Sequence, residues 1–409
     1  MLLYYLLAAL AIWFGIQSLL SGFRYVAYVR SETGKPLLNF TPFVSVIAPL
    51  RGLEPGLVEN VSGVLGQQYP AFEVLFVFDD AGDDAIAVIQ EQQGRYSQVN
   101  SRIIISGPAT DSGQKVHNLR VATAQVNQEC EVLVFVDSDA RPEPKWLRQL
   151  VAPLCDEHLG ASSGYRWFVP VKGGIASRLR SIWNASIASA LGSNQQKNFC
   201  WGGSTAIRKS VFDRLQIVER WRGSVSDDFS MTRVLHDASL PIYFNPNCLL
   251  PSVGDCDWRE LIEFTTRQMK ITRVYASHLW KPVLLGSSLF CLVFFGGIGL
   301  LIWQTMSGRS SIVLPLILVS IYLLGAAKAF IRWQVIRIPL QNHRRLLNRD
   351  LPAQVLLWPF ASLLYLCNAI AACFSRRIVW RGITYELKSP NEAVIISRGV
   401  NVRTHFRKL

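Results

Sequence analysis

Residues Glu131 to Ala140 read EVLVFVDSDA, and the fold turns on this stretch. Val132 to Val136 form an unbroken apolar run that ends in Asp137-Ser138-Asp139, with Pro142 and Pro144 just beyond. A short apolar run closed by turn residues reads as a strand buried on both faces of a parallel sheet. In such sheets ligands bind just past the carboxyl ends of the strands. If the chain is still extended there, Asp137 and Asp139 point to the same side, because side chains repeat every second residue. Carboxylates side by side repel, and each raises the other's pKa. A divalent cation removes that cost, and Mg²⁺ takes one or two carboxylates together with substrate phosphates. The stretch points to a metal–diphosphate site; the competing reading is a solvated strand end, since Asp is common in turns.

The sequence around it alternates strand and helix. Phe43–Leu50 (FVSVIAPL), Phe72–Phe78 (FEVLFVF) and Arg102–Ile105 read as strands. Leu57–Leu65, Asp83–Gln93, Gln114–Val126 and Trp146–Leu154 read as helices. The order predicts an α/β fold, a mostly parallel sheet with helices on both faces. No G-x-G-x-x-G follows the first strand, so a dinucleotide-binding fold has little support. Gly173–Leu191 reads as an amphipathic helix, lying on a membrane surface or packed in the core. Trp201-Gly202-Gly203-Ser204 breaks the pattern, as a turn or as a place where backbone approaches a ligand. Ser226-Asp227-Asp228 opens another helix, with Ser226 as N-cap and acids that suit a first turn. Asp257–Ser277 is a long helical stretch on which Arg267 and Lys270, three apart, share a face. Such a face holds a diphosphate or snorkels to headgroups.

Half of the 409 residues are hydrophobic, and the excess sits at the ends. Leu2–Gly22, Val283–Trp303 and Leu351–Ser375 carry no charge, and Ile312–Ala327 is apolar up to Lys328. Since about 20 apolar residues span a bilayer core, these predict one N-terminal and two or three C-terminal membrane segments. Without a basic stretch before it or an A-x-A site after it, the first reads as an anchor. Arg24 and Arg30 after it, and Arg332, Arg337, Arg344, Arg345 and Arg349 later, place the intervening domain in the cytoplasm by the positive-inside rule. The tail is basic too (Arg376, Arg377, Arg381, Lys388, Arg398, Arg403, Arg407, Lys408), which the rule allows only if one C-terminal segment, such as Leu351–Ser375, is re-entrant or interfacial. The expected organisation is an anchor over 1–23, a catalytic domain over 40–280, a membrane region over 281–375 and a basic tail over 376–409. The net charge of +13 gathers near membrane segments, which favours anionic headgroups; nucleic acid is not expected, as no zinc spacing or helix-turn-helix pattern accompanies it. The eight cysteines form no C-x-x-C and read as thiols in a reducing compartment.

Taken together the motifs form a set. Pro49-Leu50-Arg51-Gly52, Glu54-Pro55 and the run to Gln68-Tyr69-Pro70 open it; Asp137-Ser138-Asp139, Asp227-Asp228 and Arg267-Gln268-Met269-Lys270-Ile271 follow; Trp380-Arg381-Gly382 and Tyr385 close it. In these the chain resembles the membrane-bound, inverting glycosyltransferases of the GT-A fold, in family 2 and the related ceramide glucosyltransferases of family 21. It departs from them in Lys270 and Ile271, where the (Q/R)-x-x-R-W motif has Arg and Trp, and in Asp227, where the pair begins with Glu. Lys keeps the charge but loses the planar fork.

The resemblance implies roles. Asp80 and Asp83 lie near the uridine, the alignment admitting Asp79 as well, and Lys115 contacts the nucleotide. Asp139, with Asp137 beside it, binds Mg²⁺ or Mn²⁺. Asp228 is the general base, with Asp227 beside it, and Arg267 and Lys270 hold the departing diphosphate. It further implies a multi-pass protein of a bacterial inner membrane, or of a Golgi membrane in a eukaryote, that moves a hexose from a UDP-sugar donor to a lipid acceptor. Glucose and ceramide are the first expectation; UDP-galactose or UDP-GlcNAc, and a hopanoid or diacylglycerol, are alternatives. A processive polysaccharide synthase would need a translocation channel, for which two or three C-terminal spans are few. The remaining alternative, of a different class, is a non-catalytic lipid-binding membrane protein that keeps the fold.

Overall fold

The structure is a computed structural model and describes residues 1–309 and 311–399. Arg403, Arg407 and Lys408 of the basic tail lie outside the described residues. The described residues divide into two compact units, one of residues 32–167, 191–253 and 376–399, the other of residues 1–31, 168–190 and 254–375.

The first unit is built on a seven-stranded sheet: β1 (Val44–Pro49), β2 (Phe72–Phe78), β3 (Asn100–Ile105), β4 (Val132–Phe135), β5 (Ala161–Val169), β6 (Thr205–Arg208) and β7 (Ile242–Val253). Their order is β3-β2-β1-β4-β6-β5-β7. β3, β2, β1 and β4 run parallel, and β6 pairs antiparallel with both β4 and β5. This is the expected α/β class. Every residue of β1 and β4 is buried, as the unbroken apolar sequence of β4 requires; in β1 the one polar residue, Ser45, donates to Glu73. β1 pairs with β2 on one side and β4 on the other, so the strand order reverses there and leaves a crevice at the carboxyl ends. One core lies under helices Gln114–Thr123 and Asp227–Asp237, where Ile47, Leu75, Leu133 and Phe135 meet Leu119, Trp221, Met231 and Leu235.

Residues 376–398, read from sequence only as a basic stretch, form an antiparallel sheet of β8 (Arg377–Trp380), β9 (Ile383–Ser389) and β10 (Glu392–Arg398). Arg381 and Gly382 make its first turn, both at positive φ, as a tight hairpin turn requires. Ile383, Tyr385 and Leu387, every second residue of β9, are buried.

The second unit is helical. Leu2–Thr33, Ser277–Met306 and Val313–Ile336 are long and apolar enough to cross a membrane. Gln341–Leu356 and Trp358–Phe374 form a pair bent by 71° that passes the same test only jointly. The break falls at Leu357, two residues before Pro359, which has no N–H to continue the bonding of the preceding helix and fits the first turn of the next. The Ile175–Ala188 helix packs one face, with Leu179, Ile182 and Trp183, against Leu261 and Met269 of Trp258–Tyr275 and Leu364 and Ala369 of Trp358–Phe374. Trp183 stacks on Tyr365 at 4.8 Å.

Candidate active site

Five segments meet at the carboxyl end of β4. Asp137 and Asp139 follow the strand directly. The turn between them is pinned: the Ala140 amide donates to the Asp137 carbonyl (3.1 Å), Asn60 Nδ2 donates to the Ser138 carbonyl (2.9 Å), and Ser138 Oγ donates to Glu54 (2.6 Å). Because β6 is antiparallel to both β4 and β5, β5 runs with β4, and its later half carries Arg166 to the same edge. The start of β6 lies there too, preceded by Trp201-Gly202-Gly203-Ser204. That loop is held from both sides, by Trp146 Nε1 on Ser204 Oγ (2.9 Å) and Thr205 Oγ1 on the Trp201 carbonyl (2.7 Å).

The other two segments are first turns of helices. Lys115 opens Gln114–Thr123, and Asp227 and Asp228 open Asp227–Asp237. Ser226 caps the second of these, and the Trp221 indole donates to the Asp227 carbonyl (3.0 Å), fixing where the helix begins. Acids suit that position because the first-turn amides and the helix dipole favour negative charge.

The side chains form a chain of alternating charge. Arg166 bridges the motif, with Nη2 on Asp137 Oδ2 and Nη1 on Asp139 Oδ2, each at 3.0 Å. Lys115 Nζ lies 2.6 Å from Asp137 Oδ1 and 3.2 Å from Asp227 Oδ1. The Arg166 guanidinium lies over the Trp201 ring at 4.7 Å. Asp227 is buried, and its Oδ2 has no hydrogen-bond partner among the described residues. A Cβ at Gly202 would collide with Asp227 Oδ2 and fall 2.7 Å from Lys115 Nζ, so any side chain there would have to push these two groups aside. Asp228 accepts from Ser226 Oγ and from the Phe229 amide (2.8 Å), both on Oδ1. Its charge reaches Lys115 and Arg166.

The electrostatics follow from burial. Burial pushes the Asp227 carboxyl up, against the pull of Lys115, and the nearby Asp228 and Asp137 push the same way. Burial opposes ionisation of Asp137 too, but Lys115 and Arg166 outweigh it and hold that carboxyl below its ordinary value. For Lys115, burial would lower the pKa, and Asp137, Asp227 and Asp228 outweigh it. The surroundings thus push Asp227 toward protonation and hold Asp137 ionised.

Asp137 and Asp139 each turn one oxygen to the Arg166 guanidinium, and a buried oxygen of Asp227 lacks a partner among the described residues; hard oxygens of this kind suit a divalent cation, though no cluster of three or more His, Cys, Asp or Glu that could hold one forms among the described residues. Asp139, half-exposed, and Asp137 would hold it.

Elsewhere along the crevice, Asp79 pairs with Arg51 Nε at 3.6 Å and is pushed up by burial against that pairing. Asp80 is exposed and accepts from its own turn, at the Gly82 amide (2.9 Å). Asp83 is buried, with its oxygens taken by the amides of Gly52 (2.7 Å) and Ala85 (2.9 Å), so it ties the loops after β1 and β2 together. Arg267 and Lys270 belong to the helical unit, on Trp258–Tyr275, where Arg267 lies 3.5 Å from Glu263.

Sequence reading passed over Arg166 and left Glu54 and Arg381 as motif letters. The signal for Arg166 was present, a single charge in the otherwise apolar run Tyr165 to Val169, since a buried charge needs a partner. Arg381 pairs with Glu54, whose carboxylate also takes Ser138 Oγ, and Tyr385 Oη accepts the Gln114 amide (3.1 Å). The small C-terminal sheet thereby touches both the D-S-D turn, through Glu54, and the helix that carries Lys115.

Comparison with known proteins adds the following. The profile described as glycosyl transferase family 21 matches residues 3–393. Ceramide glucosyltransferase 3 of Caenorhabditis elegans is 30% identical over 81 residues, 20% of this chain and 18% of that protein. Hyaluronan synthase of Streptococcus pyogenes is 29% identical over 110 residues, 27% of this chain and 26% of that protein. The chain thus matches well under a third of either curated relative's length. Among solved structures, a mannosyltransferase of Pyrobaculum calidifontis in complex with GDP-Man and Mn²⁺ covers 90% of this chain and 98% of its own, at 17% identity and a TM-score of 0.47.

Proposed function

The chain belongs to glycosyl transferase family 21, and from that premise we propose that it moves a hexose, glucose first, from a UDP-sugar to the hydroxyl of a membrane lipid such as ceramide, with inversion to a β-glycolipid. The observation that carries this reading is the convergence of Asp137, Asp139, Lys115, Arg166, Asp227 and Asp228 at one sheet edge.

In this reading Asp228 takes the acceptor proton. Its Oδ1 is anchored by Ser226 and Phe229, and its Oδ2 accepts no hydrogen bond among the described residues, leaving an oxygen for an incoming hydroxyl. A base so positioned contributes roughly 10²–10⁴-fold. A single base opposite the leaving group makes attack come from that face, which gives inversion. Lys115 and Arg166 place positive charge where the departing diphosphate develops negative charge, the kind of term that dominates many transfer reactions. Arg267 and Lys270 are proposed, on their motif alone, to contact the departing diphosphate. A divalent cation on Asp139 and Asp137 would add Lewis-acid charge at the diphosphate.

The apolar helices supply the reason for a lipid acceptor. Ser277–Met306 and Val313–Ile336 are long enough for two crossings, and we read the bent pair after them as entering and leaving on one face. With the arginines of 332–349 beside that face, we place it in the cytoplasm.

The test is transfer by the full chain in lipid nanodiscs. UDP-glucose, UDP-galactose and UDP-GlcNAc are offered with ceramide, diacylglycerol or a hopanoid, and products are read by mass spectrometry. A single hexose on one lipid is expected; a long polymer, or no product and no UDP binding with any pair, overturns the reading.

A further inference from the structure

Arg166 stands where a metal ion would act. The two terminal nitrogens of its guanidinium each take one oxygen, Asp137 Oδ2 and Asp139 Oδ2, at 3.0 Å. That is the bridge a small cation makes between adjacent carboxylates. Asp137 keeps no oxygen without a cationic partner, since Oδ1 lies 2.6 Å from Lys115. A bound Mg²⁺ would sit roughly 2.0–2.1 Å from its oxygens, closer than the guanidinium does, and the two cations repel. The motif cannot satisfy both fully.

We propose that Arg166 is a built-in competitor for the divalent cation, holding the Asp137–Asp139 pair closed until the ion and the donor's diphosphate arrive together. This rests on the metal-binding part of the proposed function. A second contact keeps the competitor in the site once displaced: its guanidinium lies over the Trp201 ring at 4.7 Å, a contact that attracts the cation whatever the carboxylates do. Released from them, it stays in the site, facing an incoming diphosphate that offers replacement oxygens. The ion alone brings no such replacement, so it has to break the bridge unaided. The charge count agrees: Lys115 and Arg166 oppose Asp137, Asp139, Asp227 and Asp228, a surplus of negative charge that still attracts an ion. The expected result is weak binding of metal by itself and firm binding with the donor.

The experiment measures free Mn²⁺ by electron paramagnetic resonance while the full chain in nanodiscs is titrated with Mn²⁺ alone, no nucleotide present. Arg166→Gln should bind Mn²⁺ about 10-fold more tightly than the unchanged chain. Arg166→Lys, which keeps the charge but loses the fork, should fall between them. Asp139→Asn should abolish the gain. A purely supporting role for Arg166 predicts the opposite sign, because loosening the turn weakens the site. Equal or weaker Mn²⁺ binding in Arg166→Gln, with the unchanged chain binding normally, overturns the competitor alone. Failure of both chains to bind Mn²⁺ overturns it together with the metal assignment, while UDP-sugar transfer still tests the rest. If Arg166→Gln melts early, Arg166→Lys carries the test, and Mn²⁺ binding no tighter than the unchanged chain sinks the proposal.

Discussion

In the unit that carries β1–β7, large apolar side chains lie inside, Trp146, Trp221, Phe76 and Phe135 among them. In the helical unit they lie outside: Leu285, Leu292, Ile302, Leu316 and Leu323 are exposed, while Gln304, Arg332, Gln354 and Asn368 are buried. The same chemistry is turned inside out. Water drives apolar groups inward in the first unit. Lipid removes that drive in the second, where polar groups have to find one another. The first unit does bury charges, but each with partners: Asp227 beside Lys115, Glu73 with Ser45 and the Asn127 amide, Asp83 with the Gly52 and Ala85 amides, because an isolated charge there would cost too much.

That contrast is open to attack. Replacing Asp228 with Asn should cut transfer on the order of 10²–10⁴-fold with the melting temperature nearly unchanged; rates in nanodiscs and a thermal melt check both. Gly202→Ala inserts a Cβ between Asp227 and Lys115 and should cost on the order of 10²-fold in turnover, as a displaced site does. Leu133→Ala in β4 should cost about 2–5 kcal/mol, whereas Leu292→Ala on the exposed face of Ser277–Met306 should cost far less when both are melted in the same lipid. Equal costs would erase the distinction between the units.

The smallest effect tests the buried acid. Asp227 titrates above its ordinary 3.8 in the folded chain, so its protonated form is the one the fold prefers. Its stabilising contribution is therefore complete below the unfolded value and is lost as pH rises through the folded one. Asp227→Asn mimics the protonated form. It should melt higher than the unchanged chain at pH 8, by about 2–4 °C for each kcal/mol relieved, and the gap should close toward pH 4. A gap that widens on acidification would reverse the sign assigned to burial.

Much of the scaffold was legible in sequence. Leu57–Leu65 and Phe72–Phe78 begin and end where the pattern predicts, the Ser277–Met306 helix contains the uncharged run that announced it, and the Val313–Ile336 helix contains all of its run but Ile312, which caps it. The bent pair carried a mark in Pro359 that composition alone overlooked. The C-terminal sheet carried one as well, in the alternation of Ile383, Tyr385 and Leu387, but its basic residues drew attention to lipid instead. The acids of the site were legible as motifs. The cation between Asp137 and Asp139 was not, because Arg166 reaches them only through the register of β4, β6 and β5.

By itself the sequence determined which segments are strands, which are long apolar helices, and which acids sit at strand and helix ends, since periodicity and turn chemistry act over a few residues. Only the tertiary structure decided that Arg166 faces Asp137 and Asp139, that Lys115 lies between Asp137 and Asp227, and that residues 376–398 join the sheet-bearing unit. The reason is range. Ion pairs and hydrogen bonds act over a few ångströms, and whether two residues come that close is set by how strands and helices pack, which spacing along the chain does not encode.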